Sequence, residues 1–181
     1  MTDPTPALAS ERLLFPDGRP GPLGKTLLVR STQEPWPTVR RLRLRPLTDW
    51  ARYEQLRIEV EAGFGVGPEP ARAMVAALRE RIVRLRLTML IADDDIGALG
   101  WFPWPTRADC ARPGWARLQE VDVFPAHRGQ GFGDALLAAA LEHLAGCGVH
   151  TAIIGADEDD WPLDWYRRRG FTAVARVPLS R

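Results

Sequence analysis

The residues best placed by type and spacing to do chemistry run from Val121 to Asp134, Val-Asp-Val-Phe-Pro-Ala-His-Arg-Gly-Gln-Gly-Phe-Gly-Asp. Glycine occupies positions 129, 131 and 133 of this stretch. A glycine can turn its backbone N–H toward a ligand without steric penalty. Leu137, Leu141 and Leu144, with Leu136 and Ala140 beside them, follow at helical spacing. A glycine-rich loop that opens a helix offers unpaired N–H groups and the positive end of the helix dipole. Together they suit an anion such as a pyrophosphate. The glycine spacing does not fit G-x-G-x-x-G, and no Gly-Lys-Ser/Thr follows, so neither a dinucleotide fingerprint nor a P-loop is read. The plain alternative is a turn that serves only strand-to-helix geometry.

This stretch resembles motif A of the GNAT superfamily of N-acyltransferases, whose form is Q/R-x-x-G-x-G/A. Arg128, Gly131 and Gly133 fill its fixed positions, and Val123, Pro125, Arg128 and Gly129 fill the V-x-P-x-x-R-G that leads into it. A second family element, Y-x-x-x-G-F, is matched by Tyr166, Gly170 and Phe171. The interval between them has room for a helix, a strand and a short helix, and the resemblance covers about residues 40 to 177. It implies acetyl-coenzyme A as co-substrate and no metal. It places the diphosphate on the main chain of Arg128, Gly129, Gln130, Gly131, Phe132, Gly133 and Asp134. It also gives the backbone N–H groups of Val121 and Val123 to the pantetheine arm and the thioester oxygen.

The same resemblance sets Tyr166 beside the thioester sulfur as general acid. A phenol with a reference pKa of about 10 is protonated at neutral pH and can deliver a proton to a leaving thiolate. Where many members have Asn seven residues before the tyrosine, bonding pantetheine, this chain has Asp159, which only accepts hydrogen bonds when ionised. The base is less plain. The resemblance implies a substrate-facing acid or histidine four or six positions before Val123, and those positions here are Gln119 and Arg117, neither a good base. Glu120 and Asp122 are out of phase, and a bulge would be needed to turn one of them inward. Glu120 is the carboxylate named for this role, with a water chain as the alternative.

Length, charge and cysteine content narrow the class. A chain of 181 residues suits one domain with a sizeable core. Its net charge of +1 gives no overall field to attract nucleic acid or a membrane surface. Lys25 is the one lysine against 23 arginines, a bias that fits GC-rich coding better than an arginine-specific role. Cys110 and Cys147 do not form a disulfide framework, and Cys147 reads as a small packed residue. His127, His143 and His150 are too scattered for a zinc set. The start lacks the basic and apolar regions of a secretory signal, and no apolar run is long enough to span a bilayer, so a cytoplasmic protein is expected.

The elements that must position the motif can be read from periodicity. Residues 1–38 form a Pro/Gly-rich extension, irregular or mobile, in which Leu27 to Val29 could add a short strand. The domain proper is 39–181. A strand is expected over Arg41 to Arg45, with a helix capped by Thr48 or Asp49 running to about Ala62. A second helix follows from about Ala71 to Val83, with Met74, Leu78 and Ile82 as its apolar face. Leu87 to Ala92 and Ile96 to Phe102 read as a hairpin turned by Asp93 to Asp95. After a Pro-rich loop come strand Trp115 to Val123, helix Asp134 to Cys147, strand Thr151 to Gly155, helix Leu163 to Arg169 and strand Phe171 to Val177. The fold class is α/β, a mixed and mostly antiparallel sheet flanked by helices on both faces.

These readings point to an N-acetyltransferase in which a small-molecule or peptide amine attacks acetyl-coenzyme A directly. A GNAT-like module that senses an acyl-coenzyme A with little catalysis is the alternative, and an unrelated nucleotide-binding regulatory domain is a third. Trp101, Trp104, Trp161 and Trp165, with Asp157 to Asp160, are candidate walls for a cationic amine, and exposed Trp and Pro segments are compatible with a homodimer. Each tryptophan taken singly is better read as core or loop filling. Arg167 to Arg169 read as a solvated helix end rather than a 3′-phosphate site.

Overall fold

The computed structural model describes residues 3–15, 24–36, 40–104 and 114–177. Cys110, Pro16, Pro20, Pro22, Pro37 and most of the Pro-rich loop lie outside them. Five helices and seven strands are present among the described residues: α1 (Thr5–Leu14), β1 (Lys25–Ser31), β2 (Leu44–Pro46), α2 (Trp50–Gly63), α3 (Pro68–Leu85), β3 (Thr88–Ala92), β4 (Gly97–Trp104), β5 (Trp115–Val123), α4 (Phe132–Gly146), β6 (Thr151–Asp157), α5 (Trp161–Arg168) and β7 (Thr172–Val177). The strands follow the hydrogen-bonded order β2-β3-β4-β5-β6-β1-β7. The β5–β6 pair is parallel, whereas β1–β6, β1–β7, β2–β3 and β3–β4 are antiparallel. A mixed, mostly antiparallel sheet with helices is therefore the observed class. None of the described helices is long and apolar enough to cross a membrane.

The chain divides into two compact units. One holds α1, β1, β6, α5 and β7 with the first half of β5. Here β1 lies between β6 and β7, pairing Leu28 with Ile154 on one side and Ala173 on the other. Ala7 of α1 packs with Leu27, Val29 and Ile153, and Leu8, Val174 and Val177 close around them. Among the described residues of the N-terminal segment, 5–14 form a helix and 25–31 a full strand, where an irregular extension with a short strand was expected. Pro4 and Pro6 flank the start of α1, where their fixed φ suits a first helical turn.

The other unit holds β2, α2, α3, β3, most of β4, the second half of β5 and most of α4. Asp49 starts α2 by accepting from the Arg52 N–H at 2.9 Å. Pro68 opens α3 at its first position, so this helix starts three residues earlier than the expected Ala71. The buried face of α3 is Ala71, Val75, Leu78 and Ile82, and Met74 is exposed. β2 is shorter than expected, since Arg41 to Arg43 precede the paired residues. The β3–β4 turn places Asp94 at φ 58° and Asp95 at φ 51°, conformations that Asp tolerates better than most residues.

Candidate cofactor loop and catalytic residues

β5 runs from Trp115 to Val123, as its sequence implies, and α4 begins at Phe132, two residues before the expected Asp134. The helix therefore starts inside the glycine loop. The N–H groups of Phe132, Gly133 and Asp134 fall in its first turn and have no carbonyl one turn behind them within the helix. Gly129 and Gly131 stand at φ 73° and 80°, a region that L side chains avoid. Their missing Cβ atoms would meet nothing within 4 Å, so it is the backbone turn, not crowding inside the protein, that calls for glycine. Arg128, Gly129, Gln130 and Gly131 are exposed.

The loop is held by its own polar groups. Arg128 Nε donates to the Val123 carbonyl at 2.9 Å, and Arg128 Nη2 lies 3.5 Å from Asp122 Oδ1. Gln130 donates to the Ala126 carbonyl at 3.3 Å. The Arg40 guanidinium sits 4.7 Å over the Phe132 ring and adds positive charge beside the helix start. Below, the Phe124 N–H donates to the Ile96 carbonyl at 2.9 Å, so β4 follows β5 up to the loop. Gly97 permits that approach, because a Cβ there would come 2.5 Å from the Asp122 carbonyl oxygen and 3.0 Å from Leu136.

Within β5, Glu120 stands at φ 52°. A non-glycine residue in this region costs about 1–3 kcal/mol unless its surroundings hold it there. The strand alternation is thereby broken between Gln119 and Val121, where the sequence reading required a bulge to rotate a carboxylate. Glu120 Oε1 accepts from Arg81 Nη2 at 2.8 Å, and Oε2 lies 3.7 Å from Arg57 Nη2. Arg57 also donates to Asp122 and, at 2.9 Å, to Glu61. Burial disfavours the charged form of Arg57, but Asp122, Glu120, Tyr53 and Glu61 outweigh it and hold its pKa above the ordinary arginine value. Beside it Tyr53 is fully buried, and that burial pushes its phenol well above the usual tyrosine range. Nothing in the sequence singled out Arg57, Arg81 or Tyr53. The one available signal was Glu61 four residues after Arg57, a spacing that pairs charges along a helix.

Tyr166 and Asp159 belong to the other unit. Tyr166 is buried in α5, its ring centroid 4.9 Å from Trp165 and 5.5 Å from Phe171. Its carbonyl accepts the N–H groups of Arg169 and Phe171 at 3.0 and 3.1 Å, closing the helix end. Gly170 makes that closure at φ 79°, and Arg30 fills the space beside it while donating to the Arg169 carbonyl. The Y-x-x-x-G-F pattern thus has a local cause. Asp160 caps α5, accepting from the Trp161 N–H at 2.8 Å, and Asp159 is exposed. Trp161 is exposed, whereas Trp101 is buried edge-on against His143. Arg117 is completely buried, with Nη2 2.6 Å from Glu11 Oε2, so it faces α1. Cys147, expected to be packed, is exposed just past the end of α4.

A model described as the acetyltransferase (GNAT) family matches residues 36–171. The chain belongs to the GNAT acetyltransferase family. A mycothiol acetyltransferase of Mycobacteroides abscessus is 39% identical over 75 residues, 41% of this chain and 25% of that protein. A namesake from Pseudarthrobacter chlorophenolicus is 32% identical over 119 residues, 61% of this chain and 36% of that protein. The GNAT chain spans little more than a third, or less, of the length of such relatives. A putative acetyl transferase from Pyrococcus furiosus shares the fold at TM-score 0.59 and 18% identity, over 78% of this chain and 99% of that one. A GCN5-related N-acetyltransferase from Sphaerobacter thermophilus does so at 0.55 and 18%, over 94% and 55%.

Proposed function

We propose that this GNAT chain transfers the acetyl group of acetyl-coenzyme A to a primary amine by direct attack, with no covalent enzyme intermediate. The observation that carries the reading is the glycine loop at the start of α4. Its first-turn N–H groups, two left-handed glycines and the nearby Arg40 suit a diphosphate, and it lies within the span matched by the family model. The relatives named mycothiol acetyltransferase support acetyl transfer as the reaction class.

In this reading Val121 and Val123 offer main-chain N–H groups to the pantetheine arm and to the thioester oxygen, where a donor aimed at a developing oxyanion is worth roughly 3–4 kcal/mol. The amine nitrogen attacks the thioester carbon and the C–S bond breaks. Tyr166 gives its phenolic proton to the departing thiolate, an assignment resting on the Y-x-x-x-G-F match. The amine loses its proton to Glu120 Oε2, the oxygen not bonded to Arg81, or to water. Asp159 keeps a role as acceptor for a pantetheine amide, and a cytoplasmic setting fits the same chemistry.

Thiol release from acetyl-coenzyme A, followed with a panel of small-molecule and peptide amines and read together with the mass gain of the acceptor, tests the proposal. Acceptor-dependent release supports it. Tight binding of acetyl-coenzyme A without release under any acceptor supports the second reading, an acyl-coenzyme A-sensing module. That reading draws on two observations: the Glu120 carboxylate is already engaged by two arginines, and Arg117 is turned to Glu11.

A further inference from the structure

The largest charged cluster among the described residues lies along the second half of β5, in the unit that holds the glycine loop. Three carboxylates, Glu61, Glu120 and Asp122, meet three guanidiniums, Arg57, Arg81 and Arg128. Arg57 is the centre. It reaches from α2, is 7% exposed, and contacts all three carboxylates. Arg81 of α3 holds the far side of Glu120, and Arg128 holds the far side of Asp122. The two gripped strand residues flank Val121, and Glu120 is the one at positive φ. A planar guanidinium with several donors fixes direction as well as charge, which a point-like ammonium does not.

We propose that Arg57 is a positioning residue. By holding Glu120 and Asp122 from one guanidinium it keeps β5 kinked at Glu120, and so fixes the direction of the Val121 and Val123 N–H groups. The inference rests on the acetyl-transfer reading for its catalytic consequence, not for its structural one. Two features of the cluster support it. A strand residue held in the left-handed region relaxes toward extended geometry once its restraint is removed. Arg128 keeps its bond to the Val123 carbonyl when Arg57 is lost, so the cofactor loop stays fastened while the strand before it loosens.

The test uses the full chain with Arg57→Met, which keeps length and removes charge and donors, and Arg57→Lys, which keeps charge without the fork. Hydrogen exchange is followed in peptides covering 116–134, and kcat and KM for acetyl-coenzyme A are measured with the best acceptor. Arg57→Met is expected to speed exchange at residues 119–123 at least tenfold, with later turns of α4 unchanged. It should lower kcat at least tenfold and change KM for acetyl-coenzyme A by less than about threefold. Arg57→Lys should recover part of kcat. If Arg57→Met fails to fold, Asp122→Asn, which neutralises the other end of the pair, should give the same pattern more weakly. Unchanged exchange at 119–123, or a lowered melting temperature with kcat intact, overturns the inference. A wild-type chain that releases no thiol overturns the acetyl-transfer reading instead, and the exchange comparison still decides the role of Arg57.

Discussion

The guanidinium of Arg128 donates from Nε to the carbonyl of Val123 at 2.9 Å, tying the first residue of the glycine loop back to the last residue of the strand before it. The loop is therefore shaped before any ligand arrives, and preorganised donors lose less on binding. Arg128→Ala should weaken acetyl-coenzyme A binding about tenfold while leaving the melting temperature within a few degrees. Arg128→Lys should not restore it, because an ammonium cannot reproduce the Nε–H direction. Calorimetry at two salt concentrations checks this. If lysine restores full affinity and the salt dependence is steep, Arg128 acts as a phosphate charge and not as a fastener.

Gly131 sits at φ 80° with open space around its missing Cβ. Gly131→Ala should cost the fold only about 1–2 kcal/mol, the penalty of the left-handed region. Acetyl-coenzyme A affinity should fall more than tenfold, since the methyl group enters the space where the diphosphate is proposed to lie. Equal losses in unfolding free energy and binding free energy would remove the loop from ligand binding.

Local signals made much of the chain legible. β5 begins and ends where its alternation implies, and the capped start of α2 follows from Asp49. Errors arose where one residue type has two uses. Proline can end a helix, yet Pro68 opens α3, and a glycine run both forms a loop and admits the first turn of α4. α1 carried no strong periodic pattern, and its burial depends on β1, which is distant in neither sequence nor space but lies beyond a Pro/Gly-rich stretch. Beyond the Glu61 spacing, the Arg57 cluster left no trace in the sequence, because Glu120 and Asp122 lie about 63 to 65 residues downstream and any of 23 arginines could have served. No one-dimensional pattern ranks such pairs. The positive φ of Glu120 is equally a product of those long-range contacts, so the sequence could name a bulge as needed but not locate it.

Tyr166 is buried between Trp165 and Phe171, so removing its hydroxyl leaves the packing of the ring in place. Tyr166→Phe should therefore lower kcat about 10²-fold or more with little change in stability, if the phenol protonates the thiolate. A less basic leaving thiol should rescue part of the loss. An unchanged rate at saturating substrates would exclude Tyr166 from proton transfer.

His143 packs edge-on to Trp101 at 5.8 Å between ring centroids, and burial lowers its pKa from the ordinary 6.5. The folded protein then binds this proton less readily than the unfolded chain. Its contribution to stability is complete above pH 6.5 and is lost as the pH falls from there through the lower folded value. Urea midpoints measured from pH 8 down to about pH 5 should fall more steeply for wild type than for His143→Gln. Parallel curves would show that His143 titrates alike in both states.

Arg117 is completely buried on β5 and is matched by Glu11 from α1, with Lys25 Nζ 3.6 Å from the other carboxylate oxygen. Gly155 makes room for the group, since a Cβ there would come 2.6 Å from Arg117 Nη2 and 2.8 Å from the Lys25 side chain. Taking charges out of water costs several kcal/mol each, and only close pairing offsets it. Glu11→Ala takes the carboxylate 2.6 Å from Nη2 away from a fully buried guanidinium, so it should destabilise the protein by about 3–5 kcal/mol and release α1 from β1. Replacing both partners, Glu11→Met with Arg117→Met, should recover most of that loss, because the burden is a buried charge deprived of its carboxylate rather than the missing bond. Denaturant unfolding of Glu11→Met, Arg117→Met and the double variant makes the cycle. If Glu11→Ala costs less than about 1 kcal/mol, water reaches Arg117 and α1 is not anchored through it. If the double variant is as unstable as the single ones, the ion pair itself, and not the cost of a buried charge deprived of its carboxylate, holds the helix in place.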